Sequence, residues 1–211
     1  NLDNVTGISG PEDPALAVIS IPSTAGRPLA LLANFSMHYF SGEKGLSADY
    51  YGLFCQGIES SLAGGRTNND PPMVAIMSHG CSGDVWRRDY SLPPEERYEP
   101  TISGYANDMV QLVLAAHEKI EHLADLDLAM AERRMQLNYR VPNQQRLTWA
   151  RQIVEKMGDR EPTDQVEAYA REQLILDERK TAEVVVQALR IGSMAITTTP
   201  TETYALTGLK L

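Results

Sequence analysis

Apolar residues fall into short, dense runs in the first third of the chain and into a helical repeat between them. Leu16 to Ile21 is a brief apolar run with β-branched residues, Pro22 to Pro28 carries Ser, Thr, Gly and Pro, and Leu29 to Phe35 is a second apolar run. This pattern predicts a β-hairpin that feeds a central strand. From Asp49 to Leu62, the residues Tyr51, Phe54, Cys55, Ile58 and Leu62 recur at helical spacing. Ser47 or Asp49 would serve as its N-cap, and Gly64 and Gly65 stand where a left-handed cap would stop it. Pro72 to Met77 is uninterrupted apolar sequence ending in Ser-His-Gly, which predicts a buried strand that runs into a loop. Strand, helix and strand over roughly 29–35, 49–63 and 73–78 make a βαβ unit, parallel by default. Functional residues of such sheets sit beyond the strand C-termini, so His38 and His79 are expected at one edge.

The rest of the chain is more polar. Residues 86–100 hold three prolines and many charges, and predict an exposed loop. Ile102 to Leu123 predicts a long amphipathic helix, with Tyr105, Met109, Leu112, Val113 and Ala116 on one face. Leu126 to Val141 fits a strand. Residues 143–180 are heavily charged and predict an exposed pair of helices, an appendage over 143–182. Val184 to Leu189 and Ile191 to Thr198 predict two strands joined at Arg190 to Gly192, and Pro200 to Leu211 a loop entering a helix. The fold class expected is α/β: a mixed sheet with a parallel βαβ core, flanking helices and a charged helical appendage. A chain of 211 residues suggests one domain, with room for a self-sufficient core.

Charge narrows the function classes. With 28 acids against 19 bases the net charge is −9, so no basic face is available to bind nucleic acid. No apolar run approaches the ~20 residues that span a bilayer. Two cysteines, Cys55 and Cys81, do not make a disulfide framework. An apolar cleft for a small or lipid-like substrate stays compatible with this composition.

Three constellations bear chemistry. His38, just past an apolar strand, can present a ring nitrogen to a metal, and Asp49, at a helix start, can orient that ring or bind the metal. A packed loop histidine with a capping aspartate is the plainer reading. The run His79-Gly80-Cys81-Ser82-Gly83-Asp84 follows a buried strand, and its small residues would let backbone N–H groups converge on an anion. Its second glycine comes one residue early for a Gly-x-Ser-x-Gly nucleophile elbow, and a tight structural turn explains it equally. Glu202, after a strand and Pro200, can project into a pocket at a sheet edge or sit solvated near a helix N-terminus. His117 and His122, among Glu118, Lys119 and Glu121, read as a solvated helix face.

The order of these segments resembles the N-terminal catalytic domain of the neutral/alkaline non-lysosomal ceramidases, in their divergent bacterial branch. Asn34-Phe35-Ser36-Met37-His38, then Ser47-Ala48-Asp49-Tyr50 with Gly52, then Gly80-x-x-Gly83-Asp84, then Pro200-x-Glu202 with Gly208, carry the likeness. Asp13-Pro14 and Gly26-Arg27-Pro28-Leu29 fit it too. It is continuous over about 11–90 and returns over 184–211.

The resemblance implies a zinc-dependent hydrolase of a C–N amide bond, with a small or lipid-like amide as substrate. It assigns His38 and Glu202 to zinc, places Gly80, Gly83 and Asp84 at the catalytic loop, and leaves Asp49 and His79 as outer-shell candidates. It implies an internal piece of a single catalytic domain over 1–211, truncated at both ends, and an extracytoplasmic location. Trp86 stands where characterised members carry a serine after Gly-Asp-Val, which turns the expectation away from ceramide itself. Two alternatives stay open: a non-catalytic ceramidase-like binding module, and a metal-independent serine hydrolase using Ser82.

Overall fold

A computed structural model describes residues 7–40, 45–64 and 71–211. The chain divides into two compact units, Asn1–Asp125 with Thr201–Leu211, and Leu126–Pro200. It is α/β, and the described residues form two three-stranded sheets and five α-helices.

The first unit is built on the apolar runs. Strands β1 (Ala17–Pro22), β2 (Pro28–Phe35) and β3 (Val74–His79) form a mixed sheet in the order β1-β2-β3. β1 pairs antiparallel with β2, and β2 pairs parallel with β3 in the register Ala30↔Val74 to Phe35↔His79. Helix α1 (Asp49–Leu62) makes the crossover, and α2 (Ile102–His117) packs beside it. Leu31, Ala33 and Ala75 turn to the helices, where Tyr50, Phe54 and Ile58 of α1 and Tyr105, Met109 and Val113 of α2 close the core. The crowded approach of α1 to α2 falls at Gly57, where a Cβ would lie 2.7 Å from a methyl of Val110. A parallel pair needs apolar residues on both faces, and the opposite face indeed carries Ile19, Leu32, Val74 and Ile76. Val74 and Ile76 are about half exposed, at 48% and 50%.

Several boundaries depart from the sequence reading. Ala48, with no side-chain acceptor, holds the cap position of α1, and Asp49 opens the helix at a φ of 50°; Ser47 and Asp49 instead accept the first-turn amides of Asp49 and Tyr50 at 3.0 and 2.7 Å. Gly64 is not left-handed, and Gly65 lies outside the described residues. Helix α2 stops at His117, six residues early, because the segment beyond it is drawn back to the sheet. His122 is exposed, as expected, and His117 is half-buried; each places Nε2 3.1 Å from the Ser20 hydroxyl on β1.

The second unit holds the antiparallel sheet β4 (Leu128–Asn138), β5 (Thr181–Ile191) and β6 (Met194–Thr198), with helices α3 (Gln144–Met157) and α4 (Gln165–Arg179) between β4 and β5. Asn143 and Asp164 cap these helices, accepting from the amides of Arg146 and Glu167 at 2.9 Å each. The turn between β5 and β6 is Gly192-Ser193, a residue later than expected, with Gly192 at a φ of 60°. The chain then returns to the first unit and ends in α5 (Ala205–Gly208). Among the described residues no helix is long and apolar enough to cross a membrane.

Phe54 is fully buried at the meeting of sheet and helices, so Phe54→Ala is expected to destabilise the first unit by about 3–5 kcal/mol. Urea unfolding followed by Trp86 fluorescence in a Trp149→Phe background checks this. A loss under ~1 kcal/mol would show that Phe54 does not hold the core.

Candidate metal and active site

Parallel pairing through Phe35↔His79 brings the ends of β2 and β3 to one edge of the sheet. His38 follows three residues beyond β2 and His79 closes β3, and their ring centroids lie 5.9 Å apart. The floor beneath them is tied across the strands. The Asn34 side chain donates to the Ser78 hydroxyl at 2.8 Å, Ser78 donates to the Ala33 carbonyl at 3.3 Å, and the Gly80 amide donates to the Phe35 carbonyl at 2.9 Å.

The His38 segment is pinned from the helix side as well. Tyr51 and Tyr50 donate their hydroxyls to the Met37 carbonyl at 2.9 and 3.2 Å. Asp49 Oδ1 accepts the Phe40 amide at 3.0 Å and the Tyr50 amide at 2.7 Å. Asp49 therefore acts on the His38 segment through the backbone two residues on, with Oδ1 shared between those two amides. Burial raises the hydroxyl pKa values of Tyr50 and Tyr51 above the ordinary tyrosine value, so both stay neutral donors.

Glu202 arrives from the other end of the chain. Its Oε1 lies 3.1 Å from His38 Nδ1, with the histidine largely covered and the glutamate open to solvent. What carries it there is the loop after β3. The Gly83 amide donates to the Thr203 carbonyl at 2.8 Å, and Asp84 Oδ1 accepts the Ala205 amide at 2.8 Å, at the start of α5. Thr203 donates its hydroxyl to Cys81 Sγ at 3.1 Å. Both glycines of the loop are required by crowding. A Cβ on Gly83 would lie 2.9 Å from the Glu202 carbonyl oxygen, and one on Gly80 would collide with the Ser36 side chain and sit 3.1 Å from its Cα.

These contacts favour the structural one of the two readings that the sequence leaves open for this loop, a tight turn. The amides of Gly80 and Gly83 are both bonded to backbone carbonyls, so they hold the loop and do not point at an anion. Asp84 tethers α5 through the Ala205 amide. The loop works as a clamp that sets Glu202 against His38.

Ser82 is 1% exposed, and its hydroxyl is hydrogen-bonded to His79 Nε2. The Met37 backbone is the other hydrogen-bond partner of this imidazole. Burial of the ring, then the charge of a protonated His38, push the His79 pKa below its ordinary value, against smaller opposing effects of Glu202 and the Met37 bond. His79 is thus a neutral ring held at both ends, packed edge-on beside His38. A hydroxyl so buried is closed to a substrate carbonyl, which removes the geometric basis for Ser82 as a nucleophile.

The donor pair fits zinc in kind and spacing. Two ligands each about 2.1 Å from a tetrahedral ion stand roughly 3.4 Å apart, and His38 Nδ1 and Glu202 Oε1 are 3.1 Å apart. The fit is partial: among the described residues no group of three or more His, Cys, Asp or Glu side chains converges to hold a metal. Trp86 flanks the pair, its ring centroid 5.8 Å from that of His38. Sequence spacing does not expose the tyrosine contacts on Met37 or the Thr203–Cys81 bond, because each joins groups that meet only after folding.

A crystal structure of neutral ceramidase from Pseudomonas aeruginosa is similar to this chain, with a TM-score of 0.57 at 15% identity, over 94% of this chain and 36% of that one. At that identity the likeness is one of fold: the chain has a ceramidase-like fold and spans about a third of that neighbour's length. No family model and no curated protein matches the chain.

Gly83→Ala should push residues 202–204 off the loop and separate Glu202 from His38 while replacing neither side chain. The expected result is loss of the NMR signature of the His38–Glu202 contact, a shift of the His38 ring resonances, with unit 1 destabilised by about 1–3 kcal/mol. Unchanged His38 resonances in the variant would contradict the clamp.

Proposed function

We propose that this chain carries part of the centre of a zinc-dependent hydrolase of C–N amide bonds, of ceramidase-like type, acting on a small or lipid-like amide. The single observation that carries the reading is the pairing of His38 Nδ1 with Glu202 Oε1 at 3.1 Å. The sheet edge where it lies is where this fold class keeps its chemistry. His38 and Glu202 would hold the metal, and the remaining donors would come from water or from outside the described residues. Bound there, zinc supplies Lewis acidity and a water whose pKa falls to about 7.

The chain's own groups do the rest. His79, fixed by Ser82 and the Met37 backbone, backs the His38 ring and limits its rotation. Asp49 and the two tyrosines hold the strand end from which His38 projects. Partial exposure of Glu202 leaves an approach for substrate from solvent. The ceramidase-like fold of the Pseudomonas aeruginosa neighbour supports an amide substrate class.

A second reading, a degenerate binding module, is favoured by Trp86. Its ring stands against His38, where the resemblance to ceramidases would place a serine. Metal analysis separates the two. The full-length natural protein is expected to hold about one zinc, and His38→Ala and Glu202→Gln are each expected to weaken it by more than the roughly 10–100-fold that an outer-shell loss costs. Zinc retained in full by the double variant would overturn the assignment, and an amide hydrolase indifferent to exhaustive chelation would overturn the reaction class.

A further inference from the structure

Arg87 follows Trp86 at the same edge. Its guanidinium carbon lies 4.3 Å from the centroid of the Phe40 ring and 4.6 Å from that of Trp86. Among the described residues its head group makes one hydrogen bond, from Nη1 to the Phe40 carbonyl at 3.5 Å, and it pairs with no carboxylate. The adjacent Arg88 is matched with Glu99 at 3.0 Å, and Arg134, Arg160 and Arg171 each have a glutamate partner. Arg97 and Arg146 also stack, each on a single ring, and among the described residues Arg87 alone stands over two. Stacking fixes the plane of the group while leaving its N–H fork available, and that fork matches a carboxylate in bidentate fashion.

We propose that Arg87, stacked on Trp86 and Phe40, binds a carboxylate of the substrate, so that the amide cleaved is an N-acyl amino acid or a close relative. The inference rests on the amide-hydrolase reading above and narrows it from neutral lipid amides to anionic ones. The Trp86 ring neighbours both groups, so Arg87 Cζ and the His38 ring centre are no farther apart than the sum of 4.6 and 5.8 Å, or 10.4 Å. One amino-acid residue spans about 3.6 Å between its acyl and carboxylate carbons. That outer bound leaves room for an α-carboxylate at Arg87 with its amide beside His38. Hydrolysis adds water across the C–N bond, the acyl carbon gaining oxygen and the nitrogen a proton. The products are a carboxylic acid and a free amino acid, and the carboxylate at Arg87 is unchanged.

The test compares N-dodecanoylglycine with N-dodecanoylglycinamide, equal in length and different in charge, on the full-length zinc-loaded protein. A preference of roughly tenfold or more in kcat/KM for the acid is expected, falling towards equality in Arg87→Met and keeping part of its size in Arg87→Lys. Equal cleavage of the two amides by the wild type, or a preference untouched in Arg87→Met, would overturn the proposal. Binding is read separately in the His38→Ala, Glu202→Gln double variant by tryptophan fluorescence. Tighter binding of the acid there supports Arg87 even if the wild type cleaves neither amide, an outcome that would strike the hydrolase reading alone. Equal binding of both would overturn the Arg87 assignment and leave that reading standing.

Discussion

Everything at this site depends on the clamp between the loop after β3 and the segment that opens α5. Two backbone-directed bonds of 2.8 Å, from the Gly83 amide to Thr203 and from the Ala205 amide to Asp84, bring a glutamate from the end of the chain to a histidine near its start. Each bond is modest in net energy, about 1 kcal/mol. Their effect is geometric: with Glu202 largely solvated, little apolar burial holds its side chain. Fixing the backbone on either side is what keeps Oε1 within reach of His38.

The clamp works because the opposite side of the site is rigid. Met37 is 2% exposed, and its carbonyl takes two tyrosine hydroxyls from α1. Asp49 binds the amide of Phe40, so the segment around His38 is held on both flanks. Buried Ser82 and the more exposed His79 add a polar link in which the imidazole is bonded at both ends, and this helps to order the surroundings. Small residues are needed wherever the strands and loops cross, and the crowding at Gly80 and Gly83 shows how little room remains.

Much of the first unit was legible in sequence. The apolar runs located β1, β2 and β3 to within two residues, and the spacing of Phe54 and Ile58 located α1. Parallel pairing then followed from the crossover, and with it the meeting of His38 and His79. The loop chemistry was less legible. Gly80-Cys81-Ser82-Gly83-Asp84 reads as a cradle of free amides, but two of those amides are consumed by partners from β2 and from Thr203, which no local pattern reveals. The boundary of α2 was misjudged for a similar reason, since Ser20 draws His117 and His122 together from a strand nearly a hundred residues earlier. The pairing of His38 with Glu202 came from resemblance in segment order, and spacing alone did not carry it.

The most direct measurement is anomalous diffraction at the zinc edge from crystals of the full-length protein. The account predicts one strong peak about 2.1 Å from a ring nitrogen of His38 and from a carboxylate oxygen of Glu202. Zinc present at full occupancy but bound elsewhere, with His38 and Glu202 still paired only to each other, would contradict it.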